Sequence, residues 1–321
     1  MGDREDLRLD VGQLLWVGFD GVEVPAYLRR AIRAGEAGAA ILATVWPPML
    51  SFDRLDDEPA EAMAESVGRA MAVELAALGF DIDFAPVLDT HTNPDNPIIG
   101  NRAFATTPER VARRALAFAS GLERGGLVPC GKHFPGHGDT TVDSHLELPR
   151  LEHDLDRLRA VELMPFERAS AARLPLLMTA HVVFPAIEEG VPATLSRRVL
   201  TDLLRGELGY RGLVVSDDLD MKAVSRHFDV GEAAVAAVEA GCDALLLCRD
   251  TDAQRAAYES LVREAEARST LRARVAAAAA SIRSLKRAHW REPRPRPDVA
   301  EIRAIVGRVE HQRLALQLAG D

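Results

Sequence analysis

The chain has 321 residues, and its 39 Lys and Arg against 49 Asp and Glu give a formal net charge of −10. This excess of anions argues against a nucleic-acid partner, because binding to phosphates depends on clustered cations. Hydrophobic residues make up 47% of the chain and aromatic residues 5%, which is typical of a globular protein with an aliphatic core. The first ten residues contain no apolar segment of a secretory signal, and no stretch approaches the roughly 18 apolar residues of a membrane span. We therefore expect a cytoplasmic protein without a membrane partner.

Short apolar runs alternate with longer segments of helical period, the pattern of parallel βαβ units. Seven runs are predicted to be strands: Leu14–Gly18, Ala39–Ala43, Ile82–Leu88, Val128–His133, Leu176–His181, Leu213–Ser216 and Ala244–Cys248. The predicted helices are Glu61–Leu78, Pro108–Arg124, Leu155–Ala172, Ser196–Gly206, Gly231–Ala240, Asp252–Arg268, Leu271–Trp290 and Val299–Ala319. Polar residues follow most strands: Asp20, Asp89, His133, His181, Asp217 and Arg249. Because catalytic groups of a (β/α)8 barrel lie at the C-terminal ends of its strands, we predict a TIM-type barrel rather than a doubly wound open sheet.

A proline-rich segment near the C-terminus predicts the domain boundary. Arg291–Pro297 reads REPRPRP and cannot continue a helix. We therefore expect residues 1–290 to form the barrel catalytic domain, and residues 291–321 to form a linker and a C-terminal helix packed on the barrel.

The segment Lys132–His145, KHFPGHGDTTVDSH, contains the densest group of titratable side chains and leaves a predicted strand as a loop. One interpretation is a polar surface loop with a buried histidine. A second is a metal site built on His133, His137 and His145, although Pro135-Gly136 keeps the first two from sharing a helical face. A third pairs Asp143 with His145 as a general acid/base near neutral pH. We favour the third, and expect no metal and no cofactor.

The run LVVSDDLDM, Leu213–Met221, is a second candidate for chemistry. Its strand would present Asp217 as a nucleophile, with a neighbouring carboxylate tuning it. Alternatively, Asp218 or Asp220 would cap a following helix, and both interpretations can hold together. Two roles are equally open for Asp89: it binds the substrate, or it holds the loop that follows it.

Several long motifs, in order, resemble one known family. KHFPGHGDTTVDSH followed by Leu148-Pro149, MTAHVVFP at Met178–Pro185, SDDLDMKA at Ser216–Ala223 and FAPVLDTHTNPDNPIIGNRAF at Phe84–Phe104 are similar to the cytoplasmic β-N-acetylhexosaminidases of glycoside hydrolase family 3, the NagZ type. The resemblance covers about Ala70 to Cys248. It implies a retaining exo-β-N-acetylglucosaminidase that removes GlcNAc from peptidoglycan fragments in muropeptide recycling.

The resemblance also implies roles for individual residues. Asp217 corresponds to the family nucleophile, and His145 with its partner Asp143 to the unusual histidine acid/base. Four further residues are expected to bind substrate, the first three by resemblance and the last by its position at a strand end: Arg102, Lys132, His133 and His181. The expected partner is a small sugar or muropeptide, and the expected state is a monomer or weak homo-oligomer.

One element of the family pattern is missing. The strand that ends in Asp-Gln-Glu-Gly-Gly-Arg, whose aspartate contacts the sugar, has no counterpart between Ala39–Ala43 and Thr44–Met49. We therefore expect an incomplete barrel of about seven strands. Three outcomes are open: residues Thr44–Leu55 fill the gap as irregular chain, a partner subunit covers it, or the chain is an internally deleted version with a damaged site. The alternative function is an inactive or sugar-binding relative that lost turnover with this strand, or a related β-glycosidase or phosphorylase.

Overall fold

The computed structural model describes residues 2–18, 39–41, 48–142, 144, 147–290 and 297–319. Asp20, Asp143 and His145 lie outside the described residues, as do the greater part of the predicted linker and the first part of Thr44–Leu55.

Seven parallel strands form one curved sheet. They are β1 (Leu15–Gly18), β2 (Ala39–Ile41), β3 (Ile82–Asp83), β4 (Val128–Phe134), β5 (Leu176–Thr179), β6 (Leu213–Asp218) and β7 (Ala244–Leu247). Their order in the sheet is β2-β1-β7-β6-β5-β4-β3. Each strand predicted from the sequence is present, because short, continuously apolar runs such as Ala244–Leu247 suit a sheet that is buried on both faces.

The sheet is an incomplete TIM-type barrel, as predicted. Its two edges in the described part of the chain are β2 and β3, which follow one another in the sequence. A closed barrel would join these edges through a further strand. The opening therefore lies where the family pattern lacks its third strand.

The edge strand β3 is shorter than predicted. It ends at Asp83 rather than Leu88, because Pro86 has no amide hydrogen to donate to the neighbouring strand. Contact with β4 continues as isolated hydrogen bonds, including the amide of Leu88 to the carbonyl of Lys132 at 2.6 Å. The chain thus stays beside β4 up to the site.

Helices cover the outside of the sheet. They are α1 (Gly2–Leu14), α2 (Asp57–Ala77), α3 (Pro108–Arg124), α4 (Leu155–Arg157), α5 (Met164–Ala171), α6 (Lys222–Ser225), α7 (Val230–Ala240), α8 (Thr251–Ala267), α9 (Ser269–His289), α10 (Val299–Ile305) and α11 (Val309–Ala319). The predicted helix Leu155–Ala172 is divided by a π-helical segment, Leu158–Glu162, before Pro165. Proline cannot accommodate the carbonyl four residues before it, so a regular α-helix does not run through this point. A second π-helical segment, Arg198–Glu207, replaces the predicted helix there.

Helices α2 and α3 pack closely beside the opening of the sheet. A Cβ atom on Gly68 would lie 2.2 Å from the carbonyl oxygen of Phe118, and one on Gly121 would lie 2.1 Å from that of Glu65. Only glycine permits this approach of two backbones. Helix α3 of this pair contacts β4.

The two C-terminal helices contact the barrel through α2 and the 3-10 helix Met49–Arg54. Arg54 donates to the carbonyls of Leu318 and Ala319, each at 3.0 Å. Glu74 accepts from the amide of Gly307 at 2.9 Å and lies 2.5 Å from His311 Nδ1. Among the described helices, none has the length and apolar character needed to cross a bilayer.

Candidate active site

Asp217 lies at the C-terminal end of β6. Its amide donates to Thr179 Oγ1 on the adjacent strand at 3.2 Å, and its Oδ1 accepts from the amide of Asp218 at 2.8 Å. Burial raises the pKa of Asp217, but the charges of His181, His133 and Lys132 and the amide of Asp218 outweigh it, so the pKa is below its ordinary value. The carboxylate is therefore ionised at neutral pH.

Lys132 and His133 lie at the end of β4, on the same edge of the sheet. Burial and the charge of Arg102 lower the pKa of Lys132, whereas the carboxylates of Asp83 and Asp217 raise it. Lys132 is thus within electrostatic reach of Arg102, Asp83 and Asp217, and His133 is within reach of Asp217. The binding of a sugar by Arg102, Lys132 and His133 stays a prediction.

Asp83 was not singled out from the sequence. Its carboxyl lies close enough to Lys132 to feel its charge, and burial raises the pKa of Asp83. The alternation of side chains along β3 could have indicated that this residue faces inward, but a two-residue strand gives too short a pattern.

His181 follows β5 and is fully buried. Its Nε2 donates to the carbonyl of Asp218 at 2.9 Å, and its Nδ1 lies 2.8 Å from Thr194 Oγ1. The ring therefore holds the main chain directly after the candidate nucleophile. A direct contact between His181 and substrate stays a prediction.

Asp89 ties the start of the loop that follows β4. It is fully buried, and its Oδ1 accepts from the amides of His133 at 3.2 Å and His137 at 2.8 Å. Its Oδ2 lies 2.7 Å from His133 Nδ1. Burial raises the pKa of Asp89, but His133 and His137 bring it below the ordinary value. Of the two roles left open for Asp89, these contacts support the holding of a loop.

A second buried network fixes the rest of that loop. His137 Nδ1 lies 2.6 Å from Thr140 Oγ1, and His137 Nε2 lies 3.0 Å from Ser144 Oγ. Asn96 donates to the carbonyl of His137 at 2.8 Å. The sequence indicated a crowded loop but not these partners, because Asn96 lies 41 positions from His137. Ser144 is the described residue between Asp143 and His145.

Asp218 and Asp220 connect the end of β6 to the end of β7. Asp218 Oδ1 accepts from the amides of Asp220 at 3.1 Å and Cys248 at 3.0 Å. Asp220 Oδ2 accepts from the amides of Arg249 and Asp250. The prediction that one of these carboxylates caps the next helix is wrong, because Met221 is the N-cap of α6 and supplies no side-chain hydrogen bond. The carboxylate oxygens of Asp218 and Asp220 accept instead from backbone amides, which are those of Asp220, Cys248, Arg249 and Asp250.

In the part of the chain that the structure describes, one group of side chains has the composition of a metal site. The donor atoms of Asp139, His153 and Glu162 lie within 4.8 Å of one another. Arg157 donates to Glu162 at 3.1 Å and lies 3.8 Å from Asp139, and His153 lies 2.5 Å from Asp139. Arg157 offsets part of the acidic charge, and the contacts of Arg157 and His153 fasten the loop to α4.

The chain is similar to known proteins in both sequence and fold. A profile of the glycosyl hydrolase family 3 N terminal domain matches residues 19–285. A beta-hexosaminidase from Alkalilimnicola ehrlichii is 45% identical over 210 residues, which cover 65% of this chain and 60% of that protein. The chain thus spans about three fifths of that relative's length.

Two solved structures are similar over nearly the whole chain. A glycoside hydrolase family 3 beta-N-acetylglucosaminidase from Paenibacillus sp. str. FPU-7 is 34% identical with a TM-score of 0.87, covering 98% of this chain and 68% of that one. NagZ from Neisseria gonorrhoeae, in complex with N-trifluoroacetyl-D-glucosamine, is 27% identical with a TM-score of 0.73, covering 96% and 97%.

Proposed function

Because the chain belongs to glycosyl hydrolase family 3, we propose that it is a retaining exo-β-N-acetylglucosaminidase that removes GlcNAc from peptidoglycan fragments. The observation that carries the proposal is Asp217, a carboxylate at the C-terminal end of β6 whose pKa is lowered by the charges of His181, His133 and Lys132. The names of the relatives support the N-acetylhexosamine as the sugar.

In the proposed mechanism, Asp217 attacks the anomeric carbon and forms a covalent glycosyl ester, while the bond to the leaving oxygen breaks. Protonated His145 gives its proton to that oxygen. The neutral imidazole then takes a proton from water, which attacks the anomeric carbon and releases Asp217. Asp143 orients His145 and raises its proton affinity.

The proposed sugar contacts come from the side chains around Asp217. Lys132, His133 and Arg102 offer donors to sugar hydroxyls, and His133 is oriented by Asp89. A histidine acid/base carries no negative charge in its basic form, so it does not repel the carboxylates of a muropeptide as a glutamate would.

The open edge between β2 and β3 favours one alternative, a relative that binds sugar without turnover. Loss of one charged hydrogen-bond partner to the sugar weakens binding by about 1.5–3 kcal/mol. Both functions predict that the protein binds GlcNAc, but only the glycosidase hydrolyses a glycoside.

The test is release of 4-nitrophenol from 4-nitrophenyl β-N-acetylglucosaminide by the purified protein, beside Asp217→Ala and the corresponding β-glucoside. We expect turnover that requires Asp217 and prefers the N-acetyl sugar. GlcNAc binding by calorimetry without turnover would instead establish the sugar-binding alternative. Asp143→Asn should lower turnover and change the pH–rate profile; an unchanged profile would remove Asp143 from the mechanism.

A further inference from the structure

His137 is a buried histidine to which the proposed mechanism gives no role. It lies in the loop after β4 and is 1% exposed. The amide and carbonyl on either side of the ring are both fixed, by Asp89 and Asn96 respectively. A Cβ atom on the next residue, Gly138, would lie 1.8 Å from the carbonyl oxygen of Thr90. The backbone of His137 and Gly138 is thus held tightly in place.

The hydrogen bonds around the ring assign its tautomer. The Thr140 hydroxyl donates to the carbonyl of His137 at 3.1 Å, so its oxygen accepts from Nδ1–H at 2.6 Å. Nε2 then keeps a lone pair, and accepts from the Ser144 hydroxyl at 3.0 Å. Burial, followed by the charge of His133, lowers the pKa of His137 to about 4, which keeps the ring neutral.

Ser144 is held from two sides. Its hydroxyl is bound by His137, and its carbonyl accepts from the amide of Ala223 in α6 at 3.3 Å. Helix α6 follows directly from β6, the strand that ends in Asp217. Ser144 therefore joins the loop from β4 to the strand of the nucleophile, and in the sequence it separates Asp143 from His145.

We propose that neutral His137 is a positioning residue, which by accepting a hydrogen bond from Ser144 holds this serine against the nucleophile strand. The sequence neighbours of Ser144 are the acid/base pair of the proposed mechanism, so we infer that this hydrogen bond aligns their proton transfer. This inference rests on the proposed function. His137, the second histidine of KHFPGHG, thus aligns proton transfer and binds neither sugar nor metal.

Leaving groups of different basicity test the proposal. Ser144→Ala removes the hydroxyl and keeps the bond from Ala223 to the main-chain carbonyl. A phenyl β-N-acetylglucosaminide needs a proton on its leaving oxygen, and a 2,4-dinitrophenyl glycoside does not. We expect Ser144→Ala to lower kcat/KM about tenfold on the phenyl substrate and less than about twofold on the dinitrophenyl substrate. The inhibition constant of GlcNAc should not change.

Two further variants give the reference points. Thr141→Ala removes an exposed hydroxyl of the same loop and should match the wild type on both substrates. His145→Ala should show the same dependence on leaving group as Ser144→Ala, with a loss of about 10²-fold or more on the phenyl substrate. Circular dichroism and thermal unfolding show that each variant is folded.

An equal loss on both substrates in Ser144→Ala, or no loss, would overturn the positioning role. If His145→Ala itself lacks the dependence on leaving group, the proposed acid/base fails, and with it the mechanism. A second variant, His137→Phe, tests the coupling: adding Ser144→Ala to it should have no further effect. A further tenfold loss in that background would show that Ser144 acts without His137.

Discussion

The neutral substitution Asp89→Asn tests the buried carboxylate at the start of the loop. Asp89 is fully buried and has contacts of 3.2, 2.8 and 2.7 Å to the amides of His133 and His137 and to the ring of His133. Hydrogen bonds to a charged group contribute about 1.5–3 kcal/mol each, against about 0.5–1.5 kcal/mol between neutral groups. The three bonds would together lose about 3 kcal/mol.

Burial of the carboxylate offsets part of that loss. Burial raises the pKa of Asp89, yet the bonds and charges of His133 and His137 bring it below 3.8, so the ionised form is favoured in the folded protein. We therefore expect Asp89→Asn to lower the free energy of unfolding by about 2 kcal/mol at neutral pH.

Urea unfolding of the wild type and the variant across pH measures this effect. Because the folded pKa is lowered, the stabilisation by Asp89 is complete above the ordinary value of 3.8 and is lost as the pH falls through the folded pKa. Asp95→Asn, the same change at an exposed residue of the neighbouring loop, is the matched control. Equal stabilities of Asp89→Asn and the wild type at neutral pH would refute the reasoning.

Three further changes have directions set by the structure. Gly138→Ala places a methyl group 1.8 Å from the Thr90 carbonyl and should cost about 2 kcal/mol or more in thermal unfolding; an unchanged midpoint would contradict the close approach. Burial, followed by the charge of Asp220, raises the pKa of Asp218 to about 6. Asp218→Asn should therefore have a larger free energy of unfolding than the wild type above that pH, and this difference should vanish as the pH falls towards 3.8. An advantage that grows in acid would have the wrong sign. Glu74→Gln should weaken the attachment of the C-terminal helices, seen as faster proteolysis after Trp290; equal cleavage rates would count against it.

The positions of the seven strands were predictable because each is a short apolar run, and a polar residue follows most of them. The gap in the barrel was also predictable, since β2 and β3 are the strands on either side of the missing motif. The residues at which strands and helices end were less predictable. Pro86 shortens β3 through its missing amide hydrogen, and the predicted helix Leu155–Ala172 is divided by a π-helical segment before Pro165.

For the site, local motifs indicated Lys132, His133 and Asp217, because each lies at the end of an apolar strand. The supporting contacts were not predictable, since they join residues distant in sequence, as in Asn96 with His137 and His181 with Asp218. Such pairs depend on how the loops cross above the sheet. Asp143 and His145 lie outside the described residues, so their role as acid/base stays a proposal.

Trapping of the glycosyl intermediate tests the central claim most directly. A 5-fluoro-N-acetylglucosaminyl fluoride, which slows release of the sugar from the enzyme, is incubated with the protein, and digested peptides are analysed by mass spectrometry. The account predicts a single N-acetylhexosaminyl label on Asp217, absent in Asp217→Ala. Turnover accompanied by a label on another carboxylate, such as Asp218 or Asp89, would contradict it.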